Sequence, residues 1–356
     1  MKKSTLILQF LLILFCFYGC KKNDKPIYLE QQGEPSGTAL VITGAAARIS
    51  HEMALIERLE ELGELEDLEF ISGTSAGAIM SLNLNRILDP DFPYGWEDLK
   101  NIFFNLKQEE IFANEHNDLP IDTRGAWRFF DKLCENNLKI HSLKSDLIYP
   151  TCMTSVRFDN KALARVTNIE GLNTITDDPV EGVMTSTSFP VVFPSIRINK
   201  VDYFDGGLIE NIPYSAVFEY QLVRKRPFKK IIIVSFQKNR SIEWKTELDL
   251  IFLKNTREQI IESVLEASGF SLDAGVEKSF MEELEYIQRT YPEFTSRTVV
   301  YSPNVKNPPY FPTFQFDGTF AKKVYELMRN WALDNKPIPL DEFLKERNAN
   351  TNVIEN

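Results

Sequence analysis

Two strand candidates, each followed by a stretch with helical periodicity, set the strongest constraint on this chain. Ala39 to Thr43 reads A-L-V-I-T, after which Met53, Ile56, Leu59 and Leu62 recur at helical spacing. Leu68 to Ser72 is the next strand candidate, and Ala76 to Leu84 behind it reads as a helix. A strand that is apolar throughout, rather than alternating, fits a sheet covered on both faces. Tyr149 to Val156 and Lys230 to Phe236 add further strands, the latter through Ile231-Ile232-Ile233-Val234. Phe320, Val324, Leu327, Met328 and Trp331 mark an amphipathic final helix. Strands alternating with helices imply an α/β, three-layer architecture: a mainly parallel central sheet flanked by helices. No internal repeat or second core boundary is visible between residues 38 and 336, and the polar stretch 337–356 is expected to fray as a C-terminal tail.

Composition narrows the class of partner. The 356 residues carry a formal net charge of −11. That balance argues against nucleic acid as the main partner and against broad adsorption to an anionic bilayer. Four Cys are too few for a disulfide framework.

The first residues read as an address. Lys2 and Lys3 precede Leu6 to Tyr18, which is apolar except for Gln9. The run is too short to span a bilayer core of ~30 Å and suits the h-region of a signal peptide. It ends at Gly19-Cys20, followed by three Lys within Lys21 to Lys25. A small residue before a Cys at this place resembles a bacterial lipoprotein cleavage box, although Phe17 and Tyr18 are bulkier than usual there. The resemblance implies residues 1–19 as a signal peptide, an acylated Cys20, and a membrane anchor in the cell envelope, periplasmic or surface-facing. Residues 20–37, with Pro26, Gly33, Pro35 and Gly37, read as a flexible tether. Cys134 and Cys152 stay in the mature chain, with pairing left open.

Residues 73–77 read G-T-S-A-G, which fits G-x-S-x-G. The pattern asks for a sharp strand-to-helix turn, with Gly73 and Gly77 letting the backbone fold tightly and Ser75 exposed at the sheet edge. The helix N-terminus behind it points N–H groups at developing negative charge. By itself the motif is weak, and a capping Ser in an ordinary turn is the plain reading. The apolar strand before it and the Ala-rich segment after it give it weight. A serine nucleophile needs a base, and the histidines suit poorly. His51, His116 and His141 all precede the place where an α/β-hydrolase carries its His, and they read as surface or loop residues. Asp205 is the better base. It stands in D-Y-F-D-G-G-L-I-E-N-I-P (202–213), where Gly206 and Gly207 permit a close backbone approach. A carboxylate against a Ser hydroxyl can accept its proton. Alone, Asp-Gly-Gly reads as a hairpin turn.

Taken in order, these segments resemble the patatin-like phospholipases. The resemblance rests on G-A-A-A-R (44–48), G-T-S-A-G (73–77), T-S-T-S-F-P-V-V-F-P (185–194) and D-G-G-L-I-E-N-I-P (205–213), and spans roughly residues 38 to 236. It implies a Ser75–Asp205 dyad, a seryl acyl-enzyme, and hydrolysis of carboxylic esters of lipids in the manner of phospholipase A or lysophospholipase. It implies an oxyanion hole from the N–H groups of Gly44, Ala45 and Ala46, with Ala76 a further contributor. Arg48 would steady the loop or the helix end, and Asn211 and Pro213 would fix the segment behind Asp205. The chain departs from the family in that loop: Ala45 and Ala46 replace two of its three consecutive glycines, and Ile49 replaces the Gly after the basic residue. Where φ is positive, Ala costs ~1 kcal/mol. The alternative is therefore a non-catalytic, membrane-anchored lipid-binding protein on the same fold. Phe103, Phe104, Phe112, Trp127, Phe129 and Phe130, in the insertion 91–148, serve as helical core, as an acyl pocket, or as a surface resting on a bilayer, core being the commoner use. No metal-ligand cluster and no phosphate-binding loop is legible, so no cofactor is implied.

Overall fold

The computed structural model describes residues 33–112, 122–190, 193–236, 272–303 and 316–351. A nine-stranded sheet runs through these residues. Its strands are β1 (Thr38–Ile42), β2 (Leu68–Thr74), β3 (Thr151–Arg157), β4 (Leu163–Thr167), β5 (Ile196–Ile198), β6 (Val201–Asp205), β7 (Lys230–Val234), β8 (Thr298–Tyr301) and β9 (Ile338–Pro339). The centre is parallel: β3 pairs β2, β2 pairs β1, β1 pairs β7 and β7 pairs β8. Both sides are finished by antiparallel strands, with β4, β6 and β5 on the β3 side and β9 on β8.

Helices longer than four residues are numbered α1 (Ile49–Glu61), α2 (Ala76–Ile87), α3 (Trp96–Phe104), α4 (Arg124–Lys132), α5 (Pro179–Thr187), α6 (Tyr214–Arg224), α7 (Leu272–Thr290), α8 (Gly318–Asp334) and α9 (Leu340–Thr351). The period-two geometry of the strands sorts their side chains onto two faces. Leu40, Ile42, Ile232 and Val234 face one core with Met53 and Ile56 of α1 and Met328 of α8. Ala39, Val41, Ile231 and Ile233 face the other, with Val217 of α6, Leu284 of α7 and Phe343 of α9. Both faces are thus dry, which is why these strands read as unbroken apolar runs. The expected three-layer α/β fold is the one observed.

Local signals start the helices at useful places. Asp178 caps α5, its carboxylate accepting from the N–H of Val180 and Glu181 with Pro179 in the first turn. Asp317 caps α8 through Phe320 N–H. Most of the aromatic insertion goes to the core: Phe103, Phe112 and Phe130 are buried, and Phe104, Trp127 and Phe129 pack against them half-buried. Cys134 and Cys152 are separate, buried free thiols.

Three expectations need correction. The described part of the stretch from 337, residues 337–351, is not a frayed tail, because β9 pairs β8 and α9 buries Leu340, Phe343 and Leu344. Its polar residues hid an apolar i, i+3, i+4 stripe. The end of the tether is pinned: Gly33 N–H donates to Lys225 O, Ser36 N–H to Pro227 O, and Arg224 Nη2 to the Ser36 carbonyl and hydroxyl. His51 is not a surface residue but lies buried on α1, stacked on Phe236 at 6.3 Å. The signal segment, Cys20 and His116 lie outside the described residues.

Phe343 fills the core between α7 and α9, edge-on to Phe280. Phe343→Ala is expected to lower unfolding free energy by about 3–5 kcal/mol. A urea midpoint equal to wild type would remove residues 340–351 from the core.

Candidate functional site

Sheet register brings the two key residues together. β4 lines one edge of β3 from Cys152 to Val156 without a break. The other edge is shared, with β2 parallel to it up to Thr74 opposite Thr154, and β6 antiparallel to it down to Asp205 opposite Ser155. Two strands running towards each other along one edge must meet at their C-terminal ends. Thr74 and Asp205 therefore face adjacent residues of β3, and the next residue after Thr74 is Ser75. The Ser75 side chain thus stands beside the Asp205 carboxylate, near enough for its hydroxyl to favour the charged form of that group.

Ser75 sits at the turn from β2 into α2 with φ 54° and ψ −118°, a region non-glycine residues rarely adopt. Such a conformation costs of order 1–3 kcal/mol and persists only where its surroundings hold it. The Ser75 N–H donates to Ser186 Oγ at 3.0 Å, and Ser186 Oγ donates to Thr154 O at 2.6 Å. The Thr74 hydroxyl donates to Glu210 O, and the Ser72 hydroxyl to Pro213 O. Both flanking glycines are required by contact rather than by φ. A Cβ on Gly73 would lie 2.1 Å from Gly77 O, and one on Gly77 2.4 Å from Ile42 O. Their absence lets α2 press directly onto the ends of β1 and β2.

Asp205 is 3% exposed. Burial pushes its carboxyl up to about 7, against the opposing pull of the Ser75 hydroxyl and the Gly207 N–H. The Gly207 N–H donates to Asp205 Oδ1 at 2.8 Å, and the Asp205 N–H donates to Ser188 O. Gly206 has no room for a side chain, since its Cβ would lie 2.5 Å from Thr154 O. Beneath this segment, the Arg165 guanidinium of β4 binds both oxygens of Glu219, the Thr154 hydroxyl and the Ser215 hydroxyl. Glu210 in turn accepts from the N–H and hydroxyl of Ser215.

A serine on a strained elbow beside a buried carboxylate is an arrangement suited to acyl transfer. The family model of patatin-like phospholipases matches residues 40–218. The chain belongs to the patatin-like phospholipase family. That is a family of lipid ester hydrolases, and the match covers every segment that carried the resemblance. Among solved structures it is similar to VipD from Legionella pneumophila, with 14% identity, TM-score 0.37, 87% of this chain and 71% of that one. It is also similar to the type III effector protein ExoU, with 12% identity, TM-score 0.31, and 86% and 55% coverage. A third is human GIVD cytosolic phospholipase A2 in complex with methyl gamma-linolenyl fluorophosphonate, with 11% identity, TM-score 0.33, and 62% and 42% coverage. The chain spans about half the length of the latter two. No curated protein sequence matches it.

The 44–48 loop is where this member of the patatin-like family differs from expectation. Gly44 N–H donates to Asn211 O and Gly44 O accepts from Asn211 Nδ2, each at 3.4 Å. That N–H is turned towards the neighbouring loop, through a long hydrogen bond. The Ser75 N–H is taken by Ser186. Among the described residues, the N–H groups of Ala45 and Ala46 have no such acceptor. Ala46 has φ 50°, so one alanine does occupy a left-handed position. Ala45 has φ −134° and packs its methyl into the core. Arg48 does not face solvent: it is 2% exposed, with its guanidinium 5.2 Å from the Phe236 ring centroid.

Sequence reading missed Ser186, Thr154, Arg165 and Glu210 as supports of the site. Ser186 lay inside the quoted 185–194 segment, but nothing local singled it out from its Ser and Thr neighbours.

Two stability measurements follow from these dihedrals and shifts. Ala46→Gly is expected to raise unfolding free energy by up to about 1 kcal/mol, whereas Ala45→Gly lowers it by about 1 kcal/mol. The opposite ranking in urea denaturation would remove the strain assigned to Ala46. The carboxyl of Asp205 titrates higher folded than unfolded. Its contribution to stability is full below about pH 4 and is lost as pH rises through about 7. Asp205→Asn is therefore expected to be more stable than wild type at about pH 8 and to match it near about pH 3. An equal difference at both pH values would contradict a buried, ionising Asp205.

Proposed function

We infer that the chain is a serine lipid acyl hydrolase, cleaving carboxylic esters through Ser75, Asp205 and an acyl-enzyme in the manner of phospholipase A or lysophospholipase. The observation that carries this reading is the meeting of β2 and β6 along one edge of β3, which sets the strained Ser75 elbow beside the buried Asp205 carboxylate. Ionised Asp205 takes the hydroxyl proton as Ser75 Oγ bonds the ester carbonyl carbon, and the carbonyl π pair moves to oxygen. Collapse expels the alkoxide, which leaves with the proton from Asp205. Water then attacks the acyl-serine with Asp205 again as base, releasing the carboxylic acid and restoring the hydroxyl. The N–H groups of Ala45 and Ala46 are the donors for the tetrahedral oxyanion, with the N-terminus of α2 at Ala76 adding its dipole. One such donor is worth about 10²–10³ in rate.

The basic start, the length of the apolar run and Gly19-Cys20 support the proposal that the enzyme is a lipoprotein held to the cell envelope by an acylated Cys20. An anchor there would keep the site close to membrane lipids, which suits an ester of a lipid. A Cys20→Ser chain that remained in the membrane fraction would count against it.

Labelling with a serine-directed fluorophosphonate, and fatty-acid release from mixed phospholipids, are expected for wild type and absent in Ser75→Ala. Asp205→Asn is expected to lose both by at least about 10²-fold. In wild type, kcat/KM is expected to rise with pH with unit slope through about 7, as Asp205 ionises. A folded wild type that neither labels nor releases acid would sink the hydrolase reading and favour the non-catalytic lipid-binding alternative.

A further inference from the structure

The C-terminal third of the chain lies outside the matched family segment, yet one of its residues reaches the back of the candidate site. Glu283 is on α7, 8% exposed. Its two carboxylate oxygens accept from successive backbone N–H groups, Asn211 at 3.0 Å and Ile212 at 2.8 Å. Ile212 is buried, so without Glu283 its N–H would lose that acceptor where water has little access. Both bonds are charge-assisted, and together they fix the peptide planes on either side of the Asn211–Ile212 bond.

Asn211 is the residue that joins the two halves of the site. Its carbonyl and its side-chain amide bind the N–H and the carbonyl of Gly44. Its Oδ1 lies 2.5 Å from where a Cβ on Gly44 would stand, and 3.0 Å from one on Gly207. The same imagined Cβ on Gly44 would be 3.1 Å from the Ser75 Cβ, and that on Gly207 3.1 Å from Asp205 Oδ1. The Asn211 side chain is therefore wedged between the 44–48 loop and the Asp205 turn, beside both members of the dyad. A shift of the 211–212 backbone would move this wedge, and with it the start of the loop that presents Ala45 and Ala46.

We propose that Glu283 is a positioning residue for the oxyanion loop, acting through Asn211. It touches no substrate. It sets the position of Asn211, and Asn211 clamps Gly44 so that the next two N–H groups face the reacting carbonyl. The role in catalysis rests on the dyad reading above; the mechanical link from Glu283 to the loop does not.

Two measurements test the link separately. The first is hydrogen exchange followed by mass spectrometry on full-length Glu283→Gln, in which one acceptor oxygen becomes an amide donor. Faster exchange is expected in peptides covering 43–48 and 206–213, with that of β1 and β7 unchanged. Unchanged exchange at 43–48 would overturn the proposal, whether or not the protein is an enzyme. The second is a double-mutant cycle of Glu283→Gln and Asn211→Ala on hydrolysis of a soluble p-nitrophenyl ester. Each single variant is expected to lower kcat about 10-fold or more with KM nearly constant, since an oxyanion donor acts in the transition state. The double variant is expected to be no slower than Asn211→Ala alone, whereas multiplied losses would overturn action through Asn211. If Glu283→Gln does not fold, Glu283→Asp, which keeps the charge on a shorter stem, takes its place in both measurements. A wild type inactive on every ester would defeat the dyad reading and leave the exchange result to decide the link.

Discussion

Two strands meeting head-on along one edge of β3 create the site. β2 runs with β3 and stops at Thr74, while β6 runs against it and stops at Asp205, opposite the neighbouring residue. A purely parallel sheet could not do this, because neighbouring strands would end at the same edge pointing the same way. The antiparallel β6, placed after a parallel core, turns the carboxylate back towards the end of β2. Everything else local to the site serves that meeting: Ser186 takes the N–H of the strained Ser75, and Arg165 ties Thr154 of β3 to Ser215 and Glu219 of α6 behind the Asp205 turn.

Closeness alone would not make Asp205 a base near neutral pH. An exposed aspartate is a weak base, and a buried one without partners resists ionisation. Here burial raises the carboxyl to about 7, while the Ser75 hydroxyl and the Gly207 N–H keep the rise in check. The same burial that makes the base stronger makes its charged form costly to the fold above neutral pH. In the proposed dyad, stability would be given up at the residue where reactivity is gained, and the positive φ of Ser75 would be a second such cost.

Replacing glycines by alanines in the 44–48 loop has two different consequences. Ala45 takes an ordinary φ and adds a methyl to the core, so it strengthens the packing beneath the loop. Ala46 takes a left-handed φ and adds strain. Gly44, the glycine that is kept, is the one with no room for a side chain, since Asn211 and Ser75 crowd it. Steric contact, more than backbone freedom, decides which glycine of this loop is indispensable.

What the sequence determined by itself was whatever depends on near neighbours. Apolar runs placed β1, β2, β3 and β7 to within about two residues, and helical spacing placed α1, α2 and α8 to within about four, because periodicity follows from local backbone geometry. G-T-S-A-G marked Ser75 because a tight strand-to-helix turn demands small residues on both sides, and Asp205 came from the order of motifs set against a known family. The stripe in 340–344 was overlooked because three apolar residues among many polar ones carry little signal over so short a helix. Tertiary structure alone decided that the Gly44 N–H turns towards Asn211, that Ser186 and Arg165 support the site, and that Glu283 reaches it from α7. Each of these is a hydrogen bond between residues tens to hundreds of positions apart. Such bonds depend on how whole elements pack and in what register, which no window of sequence contains.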